Sequence, residues 1–310
     1  MPGVALSRAA LVLFASLGPA SAQVGFLTNQ SANSVWEVDL GTGEKLREWS
    51  IPGAPAGVAV APSGLVYVTS PENGTVTAID PETGVATAIE VGGGPLGIAA
   101  NPVSGAIYVA DWYAGRINVL EAGAITGTVE VGQSPGGVAV TPDGTTILSA
   151  DRDSDQVSLI DARTLKRLAV IPTGAHPFGV TIDAGGERAY TADVYANQVS
   201  VIDIAARKVI GTVKTDERPY KVALAAGRGF VTNSYGSDLT VFDLESLEPL
   251  GTIEVGDYPE GIEATGDGKA IYVANWFSNT MSRVDPLAMK VIGEIETGDG
   301  PRSFGDFIRD

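Results

Sequence analysis

His176 is the single histidine of a chain that contains no cysteine. With Glu260 and Arg302 it would provide a base, an acid and a carboxylate clamp, enough for general acid–base chemistry. Arg218, Lys221 and Arg302 are cationic donors suited to a carboxylate or phosphate. Phe178, Tyr195, Tyr220, Tyr235, Tyr258, Trp276 and Phe277 lie among them in the sequence. Aromatic walls with a few convergent polar groups are what a small-molecule or peptide site needs. The same inventory excludes much. One histidine without a thiol cannot build a multi-histidine metal site, a Cys–His dyad or a covalently attached haem. No metal site and no cofactor are expected.

One acidic stretch, "DRDSDQ", sets Asp151, Asp153 and Asp155 at the spacing of a calcium loop. That loop also needs a glycine and a distal bidentate acid, and the corresponding positions hold Gln156 and Ala162. A solvated acidic hairpin is the plainer reading.

The elements that must position these groups recur along the chain. Pro55, Pro95, Pro135, Pro177, Pro219, Pro259 and Pro301 form one series with a period near 41 residues. Asn29, Ser70, Asp111, Asp151, Asp193, Asn233 and Asn275 form a second in the same register. Asp39, Asp80, Glu121, Asp161, Asp203, Asp243 and Asp285 form a third. Within one period, "GVAVTPDG", "AYTAD", "QVSVID" and "KVIGTVKT" read as short strands separated by turn residues. No segment carries an apolar 3.6 period long enough for a helix. Four strands per unit and seven units predict an all-β, seven-bladed β-propeller with four antiparallel strands per blade. Residues 25–52 offer only three strands before the first proline, and "RSFGDFIRD" follows the last one. The C-terminal strand should therefore join the first blade as its inner strand, which removes two open edges. Recurrence assigns the second and third series to turn chemistry, because a ligand site needs one sector and not seven.

Residues 1–22 read as a signal peptide, with Arg8, an apolar run from Ala9 to Leu17 and cleavage expected after Ala22. Residues 23–310 then form a single propeller domain, soluble and periplasmic or secreted, without a membrane anchor. The balance of 20 Lys+Arg against 37 Asp+Glu gives a net charge of −17. A surface this acidic repels phosphate backbones, so nucleic acid is excluded as a general partner.

Strand wording such as "IYVAN", "VYVTS" and "FVTN", followed by "VSVID" or "LTVFD" and then "GTIEVG", resembles the YVTN-repeat family of bacterial exported propellers along all seven units. The resemblance implies the propeller fold and an exported protein, in a family that includes binding and surface proteins. Related seven-bladed propellers include lactonases, cyclases and the haem d1 domain of nitrite reductases.

Differences between equivalent positions carry more functional information than agreements. The residues flanking the repeat prolines are bland in three units, then become His176/Phe178, Arg218/Tyr220, Tyr258/Glu260 and Gly300/Arg302. The turns after the second strands add Tyr195, Tyr235, Trp276 and Phe277 in the same sector, with Trp112 and Tyr113 as outliers. The expectation is a monomeric, non-catalytic binding or scaffold propeller. It would bind an anionic small molecule, a peptide or a periplasmic partner protein on this face. A lactonase- or cyclase-like enzyme using His176 is the alternative, and an accessory protein of a periplasmic redox system is a further one.

Overall fold

A computed structural model describes residues 23–309; the expected signal peptide and its cleavage site lie outside them. The described residues form seven antiparallel blades arranged as a β-propeller. Blade 1 holds residues 24–50 together with 308–309, and blades 2 to 7 hold residues 57–90, 95–130, 135–172, 177–214, 219–254 and 259–296. Each inner strand runs from an upper face to a lower one. The turns between second and third strands open on the upper face.

Local sequence explains the blade. The second and third strands are buried along most of their length, as in Arg188–Asp193 against Gln198–Asp203, and their Val, Ile and Tyr side chains pack on the neighbouring blade. Tyr190, Val201, Val222 and Phe242 form one such layer between blades 5 and 6. In blades 3 to 7 the repeat proline is the first residue of the inner strand, where its missing N–H is harmless. The outermost strands face solvent and carry a β-bulge in every blade but the second, which twists an edge that would otherwise invite pairing.

The two acidic or amide series hold turns in place. Asp39 Oδ1 accepts the N–H groups of Gly41 and Thr42 at 2.9 and 2.8 Å, and Asp80, Asp243 and Asp285 repeat the arrangement. At the end of the second strand, Asp193 Oδ2 accepts from Gly174 N, Gln198 Nε2 and Ser200 Oγ. Asp151 does the same with Gly132, Gln156 and Ser158. Asp153 instead bonds Arg152 and Ser134, and Asp155 takes the His176 N–H. The three carboxylates with calcium-loop spacing thus serve separate protein donors.

Closure uses both chain ends. Ile308–Arg309 pairs antiparallel with Val24 and Gly25, Phe26 N donates to Phe307 O at 2.8 Å, and Arg302 N donates to Thr28 O at 2.8 Å. The middle of this segment does something the repeat does not announce. Phe304–Asp306 leaves blade 1 and pairs in parallel with Gly57–Ala59 of blade 2. Gly305 permits the close approach, since it has φ of +138° and a Cβ there would overlap the Val58 carbonyl oxygen. Glu263 Oε2 accepts the N–H groups of Phe307 and Ile308 at 2.5 and 2.9 Å, where the segment turns back to blade 1.

Candidate binding face

The residue before the repeat proline and the residue after it point in different directions. Ala54, Ser134, His176, Arg218 and Tyr258 all have φ between +50° and +57° or, for Arg218, +59°. This left-handed step turns the chain over the upper rim before the proline starts the inner strand. Each of these loops is tied to the adjacent turn. Trp276 N donates to Tyr258 O and Phe277 N to Asp257 O, and Val194 and Tyr195 bond His176 and Ala175 in the same way. One loop set is therefore hydrogen-bonded to the other, and the two form a single surface.

The side chains after the prolines face the axis and fill the upper mouth of the channel. Phe178 and Tyr220 are buried with Ala56, Leu96 and Phe304, and the Phe178 ring centroid lies 4.5 Å from that of Tyr220 and 5.1 Å from that of Phe304. Beside this plug Arg302 Nε lies 3.1 Å from Tyr220 Oη and 3.0 Å from Glu260 Oε2, and Arg302 Nη2 also donates to the phenol oxygen. Burial pushes the Glu260 carboxyl upward, against the pull of Arg302. It raises the Tyr220 phenol as well.

Apart from Lys221, the remaining candidates stand on the rim and form a continuous arc of rings and guanidinium groups. His176 stacks on Tyr195 at 4.0 Å between centroids. Arg218 lies 4.0 Å above the Tyr195 ring and 5.6 Å from that of Tyr235. Tyr235 meets Tyr258 at 5.5 Å, Tyr258 meets Phe277 at 5.0 Å, and Trp276 meets Phe277 at 4.6 Å. In the other direction Arg152 lies 5.4 Å from Tyr195 and 5.7 Å from Trp112. Tyr195, Tyr235 and Phe277 are 54%, 60% and 63% exposed, so the arc presents contiguous ring surface rather than isolated exposed rings. Burial and the nearby Glu260 push the Tyr258 phenol up to about 12, so it is a donor at neutral pH.

The acid–base trio is not assembled. His176 turns to Tyr195 and has Nε2 4.0 Å from Asp153 Oδ1, while Glu260 and Arg302 close on Tyr220. Lys221 lies elsewhere again, beneath the plug with its ammonium donating to Gly305 O. Sequence reasoning passed over Arg152. The available signal was its position directly after the second strand, the place that Trp112 and Trp276 occupy in blades 3 and 7.

The chain matches no protein-family model, and no curated protein is similar to it in sequence. Solved structures share its fold at low identity. A putative 6-phosphogluconolactonase from Bacteroides fragilis superposes with a TM-score of 0.77 at 17% identity, over 94% of this chain and 99% of that one. A protein of unknown function from Desulfotomaculum acetoxidans gives 0.76 at 16%, over 90% and 98%. Hydrazine synthase from Kuenenia stuttgartiensis gives 0.73 at 18%, over 81% and 89%. At these identities the likeness is one of fold, and the functions named diverge.

Proposed function

We propose that the protein is an exported, monomeric, non-catalytic binding propeller of the YVTN-repeat kind, and that its upper-face arc docks an acidic peptide segment of a partner protein. The observation that carries this reading is Arg218. Its guanidinium is stacked between Tyr195 and Tyr235 and has no carboxylate partner among the described residues, in a chain with a net charge of −17. Stacking fixes the plane of the fork and leaves its edge free for a bidentate carboxylate. The flanking rings supply the large, rigid contact area that dominates interface energetics. A peptide suits this surface better than a compact small molecule, because the channel mouth is filled by the plug and the arc follows the rim.

Selection of a displayed random-peptide library on the wild-type protein tests this. Enriched peptides should be acidic and should bind a Tyr195→Ala/Arg218→Ala/Phe277→Ala variant about tenfold or more weakly. Equal binding to both proteins removes the arc as the site. Turnover of a lactone that disappears in His176→Ala would replace the binding reading with a catalytic one.

A further inference from the structure

Below the plug the axis of the ring opens into a cavity of about 660 Å3. The exposed Pro62, Pro102 and Pro142 lie at its lower rim, and Phe304 and Lys221 lie at its upper end. The plug makes it a blind pocket open toward the lower face. Its walls are aliphatic, with Ile98, Val140, Ile182 and Leu224 among them.

Lys221 is the exception in this lining, for two reasons. The first is its place in the repeat. Two residues after the initial proline, the other units carry Gly57, Gly97, Gly137, Gly179, Gly261 and Ser303. Packing demands those glycines: a Cβ at Gly97 would overlap the Gly136 carbonyl oxygen, and one at Gly137 would come within 2.6 Å of the Phe178 oxygen. The architecture thus asks for the smallest residue, and one unit supplies the long cationic one. The second reason is its surroundings. The Lys221 side chain is only 7% exposed, donates to the Gly305 carbonyl and lies 3.8 Å from the Asp306 carboxylate. An ammonium carries three protons, so donor capacity remains for a group in the cavity. Glu263 shares the lining; burial and Asp306 push its carboxyl well above the usual range while Lys221 pulls it down, and its Oε2 is already taken by the Phe307 and Ile308 N–H groups. Asp306 is largely exposed, where solvent screens it.

We propose that this blind cavity is a second binding site, separate from the upper-face arc, for a small amphiphile with a carboxylate head and an aliphatic tail. The head pairs with Lys221 at the closed end. The tail lies along the aliphatic walls toward the lower face.

Calorimetric titration of the protein with n-alkanoates of six to twelve carbons, below micelle formation, tests the proposal against matching n-alkylamines and n-alkanols. Alkanoates should bind, each added methylene tightening the complex about fourfold until the cavity is filled. The amines and alkanols should bind about tenfold or more weakly. Lys221→Gly, which installs the residue of five other units, should lower alkanoate affinity at least about tenfold. Ile182→Trp, on the wall away from the closing segment, should block the tail even if Lys221→Gly fails to fold. Arg218→Ala should leave alkanoate binding unchanged. Absence of alkanoate binding, preference for amines, or full affinity in Ile182→Trp would overturn the assignment.

Discussion

Arg302 and Tyr220 are 82 positions apart in the chain, yet the guanidinium Nε lies 3.1 Å from the phenol oxygen, across the sector where the ring closes. Glu260 completes the cluster at 3.0 Å. Removing Arg302 alone would strand a buried carboxylate. Arg302→Met should therefore cost about 3 kcal/mol in urea unfolding at pH 8, and less at pH 5, where Glu260 can take up a proton. The double variant Arg302→Met/Glu260→Leu should recover most of that loss. A single variant as stable as the parent at both pH values would show that the pair is not under burial cost.

The glycines after the repeat prolines are predicted to be far less tolerant than Lys221. Gly97→Ala would drive a methyl group into the Gly136 carbonyl oxygen, and the inner strands must separate to admit it. A loss of about 2 kcal/mol or more is expected. Lys221→Gly should lose less, since its neighbours already accept glycine at that level. The comparison is a pair of thermal melts.

Stability should rise as pH falls from 7.5 toward 5. Burial pushes the Asp193 carboxyl up to about 6, and raises that of Asp151 as well. A carboxyl whose folded pKa exceeds its unfolded one contributes stability that is complete below about pH 4 and lost as pH climbs through 6. For Asp193 the difference is on the order of 2–3 kcal/mol. The turn carboxylates Asp39, Asp80, Asp161, Asp243 and Asp285 are held below their usual range by hydrogen bonds from their own turns. Their contribution is lost in the opposite direction, below about pH 4. A maximum between these limits is expected. Asp193→Asn, which installs the residue of blades 1, 6 and 7, should raise the melting temperature at pH 7.5 and flatten the profile above pH 5. An unchanged profile would place the titration elsewhere.

Deleting residues 301–310 should greatly lower the melting temperature, because it exposes the inner edge of blade 1 and the flank of blade 2 together. Phe307→Ala is the point-mutant counterpart. Its ring is fully buried, so the cost should be about 3–5 kcal/mol. A melt that does not move in either variant would separate closure from stability.

The prolines, the strand alternation and the Asn/Asp series made the blades readable from sequence, because each is a local demand repeated in every unit. The recurrence of Asn, Asp or Ser at the same position of each unit assigns Asp193 to its turn from sequence alone. It does not assign the direction of the side chains flanking each proline. His176 and Phe178 are two residues apart, yet the left-handed step at His176 sends one to the rim and the other to the plug. Periodicity identifies equivalent positions, but it does not say which side of a turn they face. For the same reason the sequence alone does not separate Lys221, beneath the plug, from Arg218 on the rim. The glycines it departs from were visible in the sequence, but the contacts that require them were not. The parallel pairing of Phe304–Asp306 was also hidden, since it occurs once and breaks the repeat that revealed everything else.

The closing segment follows every other strand of the ring in the chain, and its partners in blades 1 and 2 precede nearly everything else. While blades 2 to 7 can form in order as synthesis proceeds, blade 1 lacks its inner strand until residues 308–309 exist. Until then the inner edge of blade 1 and the flank of blade 2 stay unpaired, and the contacts that cover them span the longest sequence separations in the molecule. A molecule that occupies those few C-terminal residues should therefore keep the ring from closing.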